Sequence, residues 1–142
     1  MNKIKFDLDT LKLISLFEKL TRASVKDCFP EENQITYVVN ENEAGKAIGK
    51  NGANVKRLGN MSKKNIRIIE FSPDIKQFIQ NLVFPSKVSN VEEEEVDGKK
   101  IVTITPADNK NRGHLIGRAA ETLRYNENIV KRYFQIDELK VV

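Results

Sequence analysis

The chain has 142 residues, 39% of them hydrophobic, and a net charge of +4, which fits one ordinary domain or two very small ones. It has no apolar run of bilayer-spanning length, and its start, MNKIKFDLDTL, lacks the apolar middle of a secretory signal, so no membrane is expected and the cytoplasm is the expected location. A single cysteine, Cys28, and a single histidine, His114, exclude an internal disulfide and a clustered metal site, and no cofactor is expected.

Along the chain, Leu13, Leu16, Phe17 and Leu20 recur at helical spacing, with Asp7 or Asp9 as cap, predicting a helix over about 9–22. A turn at Pro30-Glu31-Glu32-Asn33 separates two short extended pieces. In the second, Ile35, Tyr37 and Val39 alternate as in a half-buried strand. Glu43–Ile48 reads as a short helix, followed by Gly49-Lys50-Asn51-Gly52 and a second helix with Val55 and Leu58 inward. Gly59 either ends that helix or weakens it. Ile66–Phe71 is β-branched and apolar, a strand.

Ser72-Pro73-Asp74 has the form of a cap residue followed by proline at the first helical position. Ile75, Phe78, Ile79 and Leu82 give the next helix one apolar face, and Pro85 stops it. Lys87–Val96 is extended, with Glu92–Glu95 either exposed along an edge that discourages aggregation or set to attract a basic partner. Asp97-Gly98 is a hairpin turn and Ile101–Thr105 the returning strand. Asp108 caps a short helix through Leu115. Gly117-Arg118-Ala119-Ala120 follows, then a helix to about Tyr133 with Leu123, Val130 and Tyr133 inward. Phe134, Ile136 and Leu139 form a last strand.

The same order thus occurs twice: helix, strand, strand, short helix, glycine turn, helix, strand. AGKAIGKNG (44–52) overlays RGHLIGRAA (112–120) at an offset of 68, and the same register sets Val55 on Leu123, Ile66 on Phe134 and Ile68 on Ile136. The expected domains are 1–71 and 72–142, in an α+β fold.

Charge is unevenly spread. From Ala44 to Ile69 the chain carries Lys46, Lys50, Lys56, Arg57, Lys63, Lys64 and Arg67 and no acid. Such a field suits an anionic partner, nucleic acid above all, or else forms a solvated lysine face. A helix–Gly-x-x-Gly–helix corner suits the first reading. Glycine permits the backbone angles and lets a phosphate backbone come close, while the next helix presents free N–H groups and its positive end. Lys50 adds a charge and Asn51 a donor. Nucleoside-triphosphate and dinucleotide loops both fail: Gly45–Asn51 is one residue short of the first and has Asn where a hydroxyl is needed, and the second needs G-x-G-x-x-G directly after a strand.

This order, with AIGKNGANVKRL, the bridge SPDIKQFIQNLVFPSKV, and RGHLIGR followed by KRYFQIDEL, resembles tandem type II KH domains, and more narrowly the archaeal NusA-like proteins, over essentially the whole chain. The resemblance implies two KH domains, each a three-stranded sheet packed against helices. It implies binding of single-stranded RNA, about four nucleotides per glycine loop, and a part in transcription elongation, pausing or termination, with RNA polymerase or its accessory factors as further partners. The polymerase-binding and S1 parts of bacterial NusA are not expected here. Read onto this chain, the RNA-binding residues are Lys46, Ile48, Gly49, Lys50, Asn51, Gly52, Lys56 and Arg57, and in the second copy Ile116, Gly117, Arg118, Ala119 and Ala120. Ala120 departs from the pattern, since its methyl stands where the fourth glycine is wanted, so the first domain is expected to grip RNA more strongly.

Several residues keep two readings. Ile48 and Ile116 either pack in the core or line the base groove. Lys63, Lys64 and Arg67 either contact phosphate or solvate a helix end. His114, aligned with Lys46, is either near RNA or an ordinary surface residue, and Tyr125 and Tyr133 either stack on bases or pack. Other functions also stay open: a KH role in ribosome assembly or RNA maturation, and a protein scaffold. Catalysis is not expected, because the sequence offers no paired carboxylates in a glycine-rich setting and no nucleophile near a histidine. A monomer is the default.

Overall fold

A computed structural model of the chain describes residues 7–142, so the first six residues of the first expected domain lie outside the described part. The chain divides between Ser72 and Pro73 into two units, each with a three-stranded sheet.

In the first unit, α1 (Leu8–Thr21) starts at Asp7, whose carboxylate accepts the Thr10 N–H at 2.7 Å. It ends at Arg22, which is left-handed (φ 61°) and donates its N–H to Glu18 O. Phe17 is fully buried and stacks on Tyr37 with ring centroids 4.0 Å apart, fixing α1 to the sheet. β1 (Val25–Pro30) and β2 (Gln34–Val39) form an antiparallel hairpin. Thr36 and Val38 are buried as well as Ile35, Tyr37 and Val39. The strand is therefore covered on both faces rather than half-buried, with Thr36 and Val38 supplying the second buried face. After α2 (Ala44–Ile48), one 3₁₀ turn (Lys50–Gly52) and α3 (Ala53–Ser62), β3 (Asn65–Glu70) adds parallel to β2 with Ile35 opposite Ile66. The helices are the crossover that a parallel pair requires.

Gly59 does not end α3. The helix continues to Ser62 and stops at left-handed Lys63 (φ 57°), whose N–H reaches back to Gly59 O at 2.8 Å. Burial of Leu58 outweighs the roughly 1 kcal/mol cost of an interior glycine.

The second unit repeats the order. α4 (Ile75–Val83) is capped by Asp74, which accepts the Lys76 N–H, and not by Ser72: the helix opens two residues later than the Ser-Pro signal suggests. Phe78 packs its ring edge-on against Tyr133, at 5.5 Å, so Tyr133 is a packing residue. β4 (Val88–Val96) and β5 (Lys99–Pro106) are antiparallel. They join through Asp97 (φ 53°) and Gly98 (φ 78°), the paired positive φ values of a tight hairpin turn. Glu92–Glu95 are exposed. α5 (Asn109–Ile116), a 3₁₀ turn (Arg118–Ala120) and α6 (Glu121–Tyr133) lead to β6 (Glu138–Val141), parallel to β5 with Val102 opposite Leu139.

The last strand therefore starts later than expected: Phe134 ends α6 and Ile136 is buried between helix and strand. The offset of 68 holds for the turns (Gly49 to Gly117) but not for the strands, where Asn65 opens β3 and Glu138 opens β6. α6 has 13 residues against 10 in α3, and the link from helix to strand is also longer, 134–137 against 63–64; together they delay the strand.

Candidate nucleic-acid interface

The two glycine turns have nearly the same backbone. In the first, Gly49 has φ 78° and ψ 169°, Asn51 φ 56° and ψ 29°, and Gly52 φ 73° and ψ 20°. In the second, Gly117 has φ 73° and ψ 178°, Ala119 φ 53° and ψ 32°, and Ala120 φ 60° and ψ 21°. Two alanines thus hold left-handed conformations that ordinarily favour glycine or asparagine.

The first glycine of each turn is required twice over. Its backbone lies in a region essentially confined to glycine, and a Cβ at Gly49 would sit 2.9 Å from Asn54 Cγ. A Cβ at Gly117 would overlap Thr122, approaching Oγ1 and lying 2.8 Å from its Cβ. Asn54 is a positioning residue that single-motif reading misses: its Nδ2 donates to Lys46 O at 2.9 Å, tying the start of α3 to α2. The signal available in the sequence was its place five residues after Gly49, matched by Thr122 after Gly117. Glu70 helps from the far end of β3, accepting the Ala44 N–H at 3.3 Å and so holding α2 against the sheet.

Gly52 differs. A Cβ there would meet nothing within 4 Å. Its side-chain direction is open space beside the start of α3, a helix without a side-chain cap. The positive end of α3 lies beside that space, with the Ala53 N–H turned back to Lys50 O. Lys50 and Asn51 are exposed next to it.

Lys46, also expected here, lies on α2 with its side chain 60% exposed and pairs with Glu43 at 3.2 Å. The acid-free stretch begins one residue too late to include that partner. Ile48 is 41% exposed and so is not a core residue, while Ile116 is half-buried. Lys56 and Arg57 are exposed on α3.

Beyond the turn, an open groove of about 1190 Å³ runs between α3 and β3, lined by Val55, Lys56, Gly59, Asn60, Lys63, Lys64, Asn65, Ile66 and Asn33. It contains three lysines, three amide side chains and no acid. Lys64 Nζ bonds Glu31 O at 2.6 Å, fixing one wall. Arg67 is half-buried and outside this lining.

The corresponding groove of the second unit, between α6 and β6, has the opposite balance. Its cavity of about 440 Å³ is lined by Lys99, Ala120, Leu123, Arg124 and Leu139, and by the acids Glu127, Asp137 and Glu138. Glu127 Oε2 accepts the Leu139 N–H at 2.9 Å and Asp137 Oδ2 accepts the Lys100 N–H at 2.7 Å. α6 also carries Glu121 in its first turn, opposing an anion there, where α3 has no acid. Gly117, Arg118, Ala119 and Ala120 come together as expected, but beside acids that the sequence spreads over separate elements.

The model of the KH domain matches residues 13–105. The chain belongs to the KH-domain family, and within it to the archaeal NusA-like proteins. A "Probable transcription termination protein NusA" of Methanocaldococcus jannaschii is 31% identical over 142 residues, covering all of this chain and 77% of that one. Its namesake in Methanococcus vannielii is 34% identical over 140 residues, 99% of this chain and 80% of that one. The crystal structure of APE1850 superposes with a TM-score of 0.77 at 27% identity, covering 96% of this chain and 100% of that one. The KH match takes in the intact turn at Gly49–Gly52 and stops short of the turn at Gly117. KH domains as a class clamp nucleic-acid backbone at the Gly-x-x-Gly loop. Among the described residues no helix is long and apolar enough to cross a membrane.

Proposed function

We propose that this chain binds single-stranded RNA, without catalysis, as a cytoplasmic factor of transcription elongation, pausing or termination. The first KH domain, residues 1–71, makes the main grip. Gly49, Lys50, Asn51 and Gly52 hold the sugar–phosphate backbone at the start of α3, aided by Lys46, Lys56 and Arg57. Ile48 offers an exposed apolar surface beside the turn, and Asn33, Asn60 and Asn65 offer amides to base edges. The observation that carries this reading is the acid-free lysine groove running on from an uncapped helix start with open space at Gly52. The second domain, residues 72–142, contributes Ile116, Gly117, Arg118, Ala119 and Ala120 more weakly, because its groove is acidic. The transcription role, with RNA polymerase or its accessory factors as partner, rests on the names of the relatives. The chain acts as a monomer in this reading.

The test is fluorescence anisotropy of a labelled unstructured RNA across a salt series, with native protein and Lys50→Asp/Asn51→Asp. Native affinity should fall with salt, with a log–log slope of about 0.7 per phosphate held. The variant should lose at least about tenfold in affinity and keep its circular dichroism. Equal binding by the folded variant makes the turn a purely architectural corner.

A further inference from the structure

Phe84 follows α4 and is 78% exposed, more than any other large hydrophobic side chain among the described residues. Its segment is anchored: Phe84 N–H bonds Gln80 O at 3.2 Å, Ser86 N–H bonds Val83 O at 2.8 Å, and Lys87 N–H bonds Asn111 Oδ1 at 2.9 Å. The ring is thus presented to solvent by a segment tied to both α4 and α5. Directly after it in the chain, Pro85, Ser86 and Lys87 line a cavity of about 360 Å³ together with Lys110, His114 and Asp108. Asn111 lines it too, and Asp108, whose Oδ1 accepts both the N–H and the Nδ2 of Asn111 at 2.8 and 2.9 Å as the cap of α5, leaves one carboxylate charge there against two ammonium groups. Beside that carboxylate the cavity presents two ammonium groups, a hydroxyl and an imidazole, a net positive lining. Lys110 and His114 are four residues apart on α5, one above the other on the same helix face, and the next step along the chain is Arg118 in the second turn.

We propose that this patch is an additional RNA contact, separate from both glycine turns and their grooves: one base stacks on Phe84, and the neighbouring phosphates are held by Lys87, Lys110 and His114. It deepens the RNA-binding reading and rests on it. A lone exposed ring beside cations is how proteins hold single strands without sequence preference, since every base has a face to stack. A protein-docking hot spot would instead set its aromatic anchor in a well-packed apolar surround, whereas this ring is 78% exposed and is followed in the chain by Pro85, Ser86 and Lys87. The patch also gives the second unit a basic surface that its acidic groove does not supply.

The test uses the full chain and labelled RNAs of two lengths: about 12 nucleotides, and about four, the span of one KH groove. Phe84→Ala should weaken the longer RNA roughly tenfold and leave the shorter unchanged, and Phe84→Trp should restore native affinity. A 5-iodouridine RNA should crosslink to the peptide carrying Phe84. If Phe84→Ala binds the longer RNA as native does while Lys50→Asp/Asn51→Asp loses it, this proposal fails and the KH grip stands. Loss of a co-purifying protein by that same RNA-competent Phe84→Ala would assign the ring to a protein partner, again overturning the proposal. If the native chain binds neither RNA, both readings fall.

Discussion

Alanine at Gly49 should cost the fold more than alanine at Gly52, and alanine at Gly52 should weaken RNA binding in a chain that stays folded. At Gly52 the added methyl meets no atom within 4 Å, so the only cost in the folded chain is the left-handed backbone, φ 73° and ψ 20°. That costs an L-residue about 1–2 kcal/mol. The loss of glycine freedom in the unfolded chain returns roughly 0.4–1 kcal/mol, leaving Gly52→Ala destabilised by about 1 kcal/mol. Ala120 already holds the equivalent conformation. At Gly49 the backbone lies where side chains cost about 1–3 kcal/mol, and the methyl would press on Asn54 Cγ at 2.9 Å. Moving that amide gives up its bond to Lys46 O, worth about 1 kcal/mol more. With the same unfolded-chain return, Gly49→Ala should lose about 1–3.5 kcal/mol. Urea unfolding followed by circular dichroism reads the stabilities, and anisotropy reads RNA affinity. Gly52→Ala should remain folded yet bind RNA more weakly, because its methyl enters the space proposed for the phosphate. Equal destabilisation by the two variants, or a neutral Gly49→Ala, would refute the assignment of one glycine to packing and the other to ligand approach.

The acidic second turn can be tested by gain of binding. Ala120→Gly/Glu121→Ala removes the methyl and the acid from the start of α6, so RNA affinity in a Lys50→Asp/Asn51→Asp background should rise several-fold in anisotropy; no rise would mean that the acids lining the groove, rather than the turn, set the weakness. The helix caps should shape the acid limb of stability. Asp7 and Asp108 are held below the ordinary carboxylate range, first by the N–H groups of Thr10 and Asn111, so their contribution is present above that range and is lost as pH falls through the lowered one. Asp7→Asn/Asp108→Asn, which keeps caps that cannot be protonated, should flatten thermal stability on the acid side of about pH 4; a variant that tracks native there removes charge from the account of these caps.

Much of this arrangement was legible because it rests on local chemistry. The first glycine turn, the Asp97-Gly98 hairpin and the cap at Asp108 are each written in two to four adjacent residues. The second turn was legible only through the first, since Arg118-Ala119-Ala120 carries no conformational signal of its own. Other features depend on distant parts of the chain. Gly59 looks like a helix end until burial of Leu58 is counted. The delay of β6 follows from the longer α6 and the longer link after it, and a fixed repeat offset conceals both. The contrast between the two grooves was hidden because Glu127, Asp137 and Glu138 belong to a helix, a loop and a strand, and meet only after folding. Ile48 reads as core or as groove lining, yet it is exposed at the last position of α2, where its neighbour Ala47 is the buried residue.

The left-handed alanine at position 120 has an evolutionary consequence. Alanine and glycine codons differ only at their middle base, and here the backbone already has the shape that glycine would adopt. Either residue can therefore occupy the corner without the chain passing through a misfolded ancestor. The second copy sits one point mutation from a glycine-x-x-glycine corner, and the first copy sits one point mutation from losing its own. A duplicated module with that property lets a lineage adjust how many handholds it offers a strand while its architecture stays unchanged.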